Sequence, residues 1–493
     1  MSIVAGVDSS TQSTTVLLRD AATGRIVGSG RSPHPTTTPP LSEQNPQSWW
    51  DALVLAMRQA RVEAGVHEDD IVAIAVAAQC HGLVPLDASG EVIRPAKLWN
   101  DTTSSPEVAE LIERIGAERW IERVGSLPTA AFTASKVLWL ARHEPEAFAR
   151  MRTMLLPHDW LTYRLTGRFV TDRSEASGTG YYDSRADEYA LEVLELIDPA
   201  RDWTAQLPEV LGPSEPAGRV LPAVANELGI SRDAIVGAGA GDQHAGAIGL
   251  GVRPGDTVFS LGTSGVVYSV SSQPVTDLSG IVNCVADAAG GYQPLICTLN
   301  AAKVTDAVAR LLGVDHTELS RLAAAAPRTA DRPVFAAYLD GERTPNLPSA
   351  RGVLSGVGSD VSREQLALAA YEGVVFGLVR GLETMTGQGV QRNGTVIAVG
   401  GGAHSPAYLQ AIADTVGQPV EIADGVEIVA AGAAVQAAAV LGGVPIAEQR
   451  DAWAPRTRRA ATPRADPSLA VVRARYTTTA AWRGADLALA SDS

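Results

Sequence analysis

Two short polar turns, each set between apolar runs of β character, carry the residue types needed to hold an anion. Asp8-Ser9-Ser10-Thr11-Gln12-Ser13-Thr14 joins the run Ile3 to Val7 to Thr14 to Leu18, and Ser260-Leu261-Gly262-Thr263-Ser264-Gly265 joins Thr257 to Leu261 to Val266 to Val270. Such turns can aim backbone N–H and hydroxyl donors at phosphate oxygens, while Asp8 can hold a magnesium ion through oxygen or water. An ordinary tight turn, with its aspartate satisfying local amides, is the alternative for either turn alone. Their recurrence at matching positions favours the phosphate reading.

A third candidate is Gly400-Gly401-Gly402-Ala403, between a strand pattern and a helix pattern, where backbone without side chains lets a nucleotide approach closely. No Walker lysine motif accompanies it, so a P-loop is not expected. Asp242, in Gly241-Asp242-Gln243-His244, opens a small-residue helix. It reads either as a helix cap or as the carboxylate that deprotonates an attacking hydroxyl in phosphoryl transfer. Gln79-Cys80-His81-Gly82 follows the buried-strand pattern Ile71 to Val76, so His81 reads either as an ordinary hydrogen-bonded histidine at a strand end or as a ligand contact, since ligands in α/β domains are met at strand C-terminal ends. Trp99-Asn100-Asp101 reads equally as a core tryptophan beside a turn or as an aromatic face for a sugar.

The elements that must position these residues come in two similar sets. Three meandering strands, a helix over Trp49 to Ala64 and the strand Ile71 to Val76 form one α/β unit. Strands at Thr257 to Leu261 and Val266 to Val270, a helix over Gln365 to Met385, a strand at Thr395 to Val399, a helix over Tyr408 to Val416, and a strand and helix at Pro419 to Ile422 and Glu427 to Leu441 repeat it. The fold class expected is α/β, with domains at 1–246 and 255–448 and ligands in the cleft between them. Residues 449–493, with Arg450, Arg456, Arg458, Arg459 and Arg464 among Ala, Pro and Thr, read as a solvated or loosely docked tail.

Composition removes whole classes of partner. The 493 residues carry 40 Lys and Arg against 55 Asp and Glu, a net charge of −15, and such a field opposes nucleic-acid backbones and anionic membranes. Any phosphate must therefore be held by local devices. The three cysteines, Cys80, Cys284 and Cys297, lie far apart, so neither a disulfide framework nor a zinc site is expected, and a reducing cytoplasm fits. Met1 to Asp8 lacks the pattern of a secretory signal. Ile428 to Ala447 is apolar apart from Gln436, but its many Ala and Gly residues predict a closely packed buried helix rather than a membrane span.

Taken together, these segments resemble the FGGY family of carbohydrate kinases, and within it the branch acting on xylulose. The resemblance also draws on Ser42-Glu43-Gln44-Asn45-Pro46 with Trp49-Trp50, Leu156-Pro157-His158-Asp159-Trp160-Leu161, Asp172 with Ser174 to Gly180, and Gly341-Glu342-Arg343-Thr344-Pro345. It implies two ribonuclease-H-like domains of the actin and hexokinase ATPase type, the first binding sugar and the second ATP. It implies ATP-dependent phosphorylation of D-xylulose at its 5-hydroxyl, with Mg2+ and, as the only assembly expected, a homodimer. Asp242 matches the catalytic base, and Asp8 the aspartate near magnesium. Cys80, His81, Trp99 and Gln243 fall to the sugar, and Ser9, Thr11, Gly262, Thr263, Gly401 and Gly402 to ATP. Three positions depart from the usual pattern: Ser10 replaces glycine, Cys80 replaces methionine, and Gln243 replaces the asparagine of the xylulose branch. Glycerol, ribulose, gluconate and xylitol stay open as substrates through Gln243, and an actin-like chaperone or filament ATPase is the rival from another class.

Overall fold

The computed structural model describes residues 1–347, 349–423 and 427–482. Its contacts divide into two units: the described parts of 1–252, 284–293 and 425–455, and those of 253–283, 294–424 and 456–493.

In the first unit, β1 (Ile3–Ser9), β2 (Ser13–Asp20) and β3 (Ile26–Pro33) form an antiparallel meander. The helix α1 (Pro46–Ala64) follows, started by the Asn45 side chain accepting from the Gln47 amide and ended by Gly65 in the left-handed conformation. Next come β4 (Ile71–Ala78), the short helix α2 (Arg173–Ser177), the strands β5 (Pro216–Arg219), β6 (Ile235–Gly237) and β7 (Ala240–Gly241), and the helix α3 (Asp242–Gly249). The sheet order is β5-β6-β4-β1-β2-β3, with β7 also pairing β4. Side chains alternate across a sheet, so Ile3, Ala5 and Val7 face a core with Trp49, Trp50, Leu53 and Met57 of α1, while Val4 faces the other core. That second core is closed by the helix Ile428–Gly442. It approaches so closely that a Cβ on Gly6 would lie 1.9 Å from the Ala430 carbonyl oxygen, and a Cβ on Gly432 1.8 Å from that of Ala245. Its alanines and glycines thus serve packing, and the division at 246–255 read from sequence places in the second domain a helix whose contacts lie in the first unit.

The second unit repeats the plan with β8 (Thr257–Leu261), β9 (Gly265–Ser269) and β10 (Tyr292–Thr298), followed by α4 (Arg363–Gly387), β11 (Val396–Val399), α5 (Pro406–Val416), β12 (Val420–Ala423), β13 (Thr457–Ala461) and α6 (Leu469–Ala481). Its sheet contains the order β10-β9-β8-β11-β12-β13, which matches β3-β2-β1-β4 in both sequence and direction over the first four strands. The helix α4 is long and apolar enough to cross a membrane, yet 78% of its apolar window is buried within the fold, as in a core helix.

From Arg456 onward the described part of the Arg-rich segment is built into this unit rather than solvated, and Arg450 belongs to the first unit. β13 pairs antiparallel with β12, and Tyr476 of α6 packs edge-on against Phe376 at 5.4 Å. Arg332, fully buried, joins Glu372 at 2.8 Å and Asp466 at 2.9 Å, which ties the segment to α4. Arg458 and Arg459 are exposed on the sheet edge, where charge discourages further strand pairing.

Candidate functional site

In the first unit, three parallel strands end side by side. Ser9 of β1 and Gly241 of β7 are both in register with Ala78 of β4, so the residues around these ends gather at one sheet edge. Asp8, Cys80 and Asp242 meet there because each lies within two residues of a strand terminus. The local sequence makes this possible. Gly239 takes a φ of 93°, and any Cβ on it would fall 2.7 Å from the His158 ring and 2.8 Å from the Val76 carbonyl.

Asp242 is the first residue of α3, and the cap position belongs to Gly241, whose side chain can make no capping bond. The carboxylate takes two bonds, from the Gln243 amide at 2.7 Å and from the Cys80 thiol at 3.4 Å, both on Oδ1. Burial raises its pKa despite those donors. Asp8 is 9% exposed, and burial pushes it up to about 7, helped by the neighbouring Asp242 and Glu427 and opposed by the Ser10 hydroxyl, which donates to it at 2.5 Å. The side-chain amide nitrogen of Gln243 is buried with no hydrogen-bond partner. A buried donor in this state costs about 1–3 kcal/mol, which a hydroxyl-bearing ligand would recover.

His81 sits in the left-handed region at φ 65°, clamped on three sides. Its Nδ1 lies 2.7 Å from the Gly178 carbonyl, its ring stacks on Phe132 at 4.8 Å, and its own carbonyl accepts from Thr133 Oγ1 at 3.0 Å. A carbonyl only accepts, so Nδ1 carries the proton. Trp99, 40% exposed, donates its indole N–H to Thr11 Oγ1 at 2.9 Å, and Thr11 in turn donates to Gln79 at 3.1 Å. Thr11 is thereby drawn to the Trp99 wall. Ser9 is 1% exposed, its hydroxyl accepting from Thr14 at 3.3 Å and its carbonyl from the Gln79 amide at 3.1 Å.

Sequence reasoning gave no individual role to several residues that shape this edge. Gln44 donates to the Thr11 carbonyl at 2.9 Å and accepts from Trp49 at 2.8 Å, which fixes the first turn from below. Glu175 and His244 lie behind Asp242, and Asp172 caps α2 through the amides of Ser174 and Glu175. The polar cluster Ser174 to Gly180 was visible, but nothing in its spacing points to a strand end about 95 residues away.

The second unit holds the other four predicted residues, again where parallel strands end. Ser260 of β8 is in register with Val399 of β11, so Gly262-Thr263 and Gly401-Gly402 follow neighbouring strand ends. The glycines divide by role. Gly400 has φ 83° and would clash with the Leu261 backbone, and a Cβ on Gly402 would sit 2.6 Å from that of Leu261. A Cβ on Gly401 would meet nothing within 4 Å. Gly401 and Gly402 border a cavity of about 640 Å³ whose walls include Thr305, Ser320, Ser405, Tyr371 and Tyr408, the two tyrosine rings meeting edge-to-face at 4.6 Å. Hydroxyls beside flat rings at a glycine turn suit a nucleoside.

Comparison with known proteins points one way. Profiles of the FGGY family of carbohydrate kinases match this chain twice, the N-terminal domain over residues 3–249 and the C-terminal domain over 257–441. A xylulose kinase from Streptomyces rubiginosus is 44% identical over 454 residues, covering 92% of this chain and 90% of its own. The xylulose kinase of Escherichia coli (strain K12) is 36% identical over 429 residues, covering 86% and 87%. Among solved structures, a xylulose kinase from Bifidobacterium adolescentis shares the fold at TM-score 0.86 and 37% identity, over 96% of this chain and 99% of that one.

Proposed function

The chain belongs to the FGGY family of carbohydrate kinases, and from that premise we propose that it transfers the γ-phosphoryl group of ATP to the 5-hydroxyl of D-xylulose. The products are D-xylulose 5-phosphate and ADP, in the catabolism of xylose and xylulose. The observation that carries the reading is the pairing, at the ends of these strands, of the half-buried carboxylate of Asp242 with the unsatisfied amide of Gln243. One can take a hydroxyl proton while the other donates to the same polyol.

In this mechanism both protein donors to Asp242 engage Oδ1, so Oδ2 is the oxygen offered to the attacking hydroxyl. Its raised pKa makes it a better proton acceptor than a solvated aspartate. His81 hydrogen-bonds a sugar hydroxyl, Trp99 supplies an apolar face, and Cys80 fixes Asp242 from behind. The first unit is thus the sugar-binding domain. The second binds ATP, with the nucleoside in the tyrosine-walled cavity and phosphates on the turns at Gly262-Thr263 and Gly401-Gly402. Mg2+, when bound, neutralises charge on the phosphates. Asp8 is the residue that would hold it, because a carboxyl buried beside two other acids gains from a nearby cation. Since the transition state is largely dissociative, positioning contributes more than base strength.

A coupled ADP-release assay tests the assignment across D-xylulose, L-xylulose, D-ribulose, L-ribulose, xylitol, glycerol and gluconate. D-xylulose should exceed every other substrate by at least tenfold in kcat/KM. A higher value for glycerol or gluconate would leave a kinase and remove the sugar. The reaction is placed in the cytoplasm, where ATP is supplied, and sedimentation velocity separates a monomer from the expected homodimer.

A further inference from the structure

Behind Asp242, three side chains from distant parts of the chain converge on one point. A ligand atom from each of Cys80, Glu175 and His244 lies within 4.8 Å of the other two. Glu175 is fully buried and His244 is 5% exposed, yet neither ring nitrogen of His244 has a hydrogen-bond partner, and the Glu175 carboxyl has only the Cys80 thiol beside it. Such an arrangement is unusual, because a native core pairs nearly all buried polar groups or fills the space between them with water or an ion. Gly241 keeps that space open. A Cβ there would stand 2.5 Å from Glu175 Oε1, 2.6 Å from Cys80 Sγ and 2.7 Å from His244 Nδ1, so any other residue would fill the cradle.

We propose that Cys80, Glu175 and His244 form a binding site for a borderline-soft divalent transition metal of the Zn2+ type. A thiolate, an imidazole and a carboxylate are the donor set such an ion prefers, whereas Mg2+ takes oxygen ligands only. Tetrahedral coordination at Zn–ligand bonds of 2.0–2.3 Å places donors about 3.5 Å apart, within reach of small side-chain movements from the observed separations. The backbone around the cluster is fixed: Asp172 accepts from the Glu175 backbone amide at 3.1 Å, and Ser174 Oγ accepts from the Gly241 amide at 3.4 Å. The site shares Cys80 with the edge that holds Asp242, and it departs from the expectation from sequence that three scattered cysteines offer no zinc site.

The test is a titration of the metal-free, full-length protein with Co2+, followed by absorbance. One equivalent should bind with a thiolate charge-transfer band in the near ultraviolet and visible d–d bands, all removed by Zn2+. Cys80→Ser should abolish the charge-transfer band, and His244→Ala should weaken binding at least tenfold. Zinc-edge anomalous scattering from a crystal of the unaltered protein soaked in Zn2+ should give a peak within bonding distance of the three donor atoms, a readout that needs no variant to fold. The proposal is overturned by a charge-transfer band that is absent or survives Cys80→Ser, or by an anomalous map with no peak at the cluster and only water between the three side chains.

Discussion

Gly178→Ala isolates the contribution of His81 without touching a group that meets substrate. The backbone there has φ −86° and ψ 1°, which alanine adopts freely, so the substitution carries no conformational strain. Its methyl, however, would lie 2.5 Å from His81 Cε1 and 2.6 Å from Nδ1. The ring has little freedom to retreat, since Phe132 covers one face and the 2.7 Å bond to the Gly178 carbonyl fixes its plane. His81 must therefore turn and give up the bond that sets its tautomer. Losing an oriented hydrogen bond to a sugar hydroxyl is worth about 1–3 kcal/mol, and at 1.4 kcal/mol per tenfold kcat/KM for D-xylulose should fall roughly 5–150-fold. The KM for ATP should stay within twofold, and stability should drop by about 1 kcal/mol, the value of one hydrogen bond. The coupled assay on Gly178→Ala, His81→Ala and the double variant decides the matter. With the imidazole gone the methyl has room, so the double variant should match His81→Ala within about 0.5 kcal/mol. A Gly178→Ala enzyme within twofold of wild type, or losses that simply add, would refute the argument that Gly178 acts through His81.

Asp242→Asn keeps volume and fold but cannot accept a proton, so kcat should fall by about 10²–10⁴ with D-xylulose binding retained, as measured by calorimetry; turnover within tenfold would remove Asp242 as the base. Asp8 gives a pH signature: its folded pKa, about 7, lies above its ordinary value of 3.8, so its proton stabilises the fold at low pH and that advantage is lost as pH rises toward 7. Denaturant titrations without Mg2+ should accordingly show Asp8→Asn matching wild type near pH 4 and exceeding it by up to about 4 kcal/mol at pH 8. Gly401→Ala projects a methyl into open space, so the KM for ATP should rise at least threefold with the unfolding midpoint unchanged. Gly402→Ala drives a methyl against Leu261 and should lower stability by about 1–3 kcal/mol. Gly432→Ala, with backbone 1.8 Å away, should cost at least as much and lower the melting temperature by several degrees.

The residues legible in the sequence are those whose role follows from position along the chain. Asp8, Cys80 and Asp242 each lie beside the end of an apolar strand pattern, and register then brings them together without further information. The repeated meander was legible for the same reason, because short apolar runs such as Ile3 to Val7, broken by polar turns, are a local property. The terminal segment was not, since an edge strand carrying exposed Arg458 and Arg459 has the texture of a solvated tail until its partner strand is known.

What no local pattern encodes is the identity of a neighbour across the fold. Glu175 acquires meaning only because Asp172 starts a short helix that turns it toward Cys80, and His244 only because α3 begins at β7 and swings its first turn over the same spot. Glycine shows the limit most plainly. Gly178 and Gly241 both have ordinary φ values, so no turn requires either of them, and no conformational rule marks them in the sequence. Each is needed for what stands opposite the absent Cβ, His81 in one case and three converging donors in the other. Their substitution should therefore act on the site before it acts on stability, the reverse of the order expected for Gly432, where the opposing atoms are backbone of a helix that cannot yield.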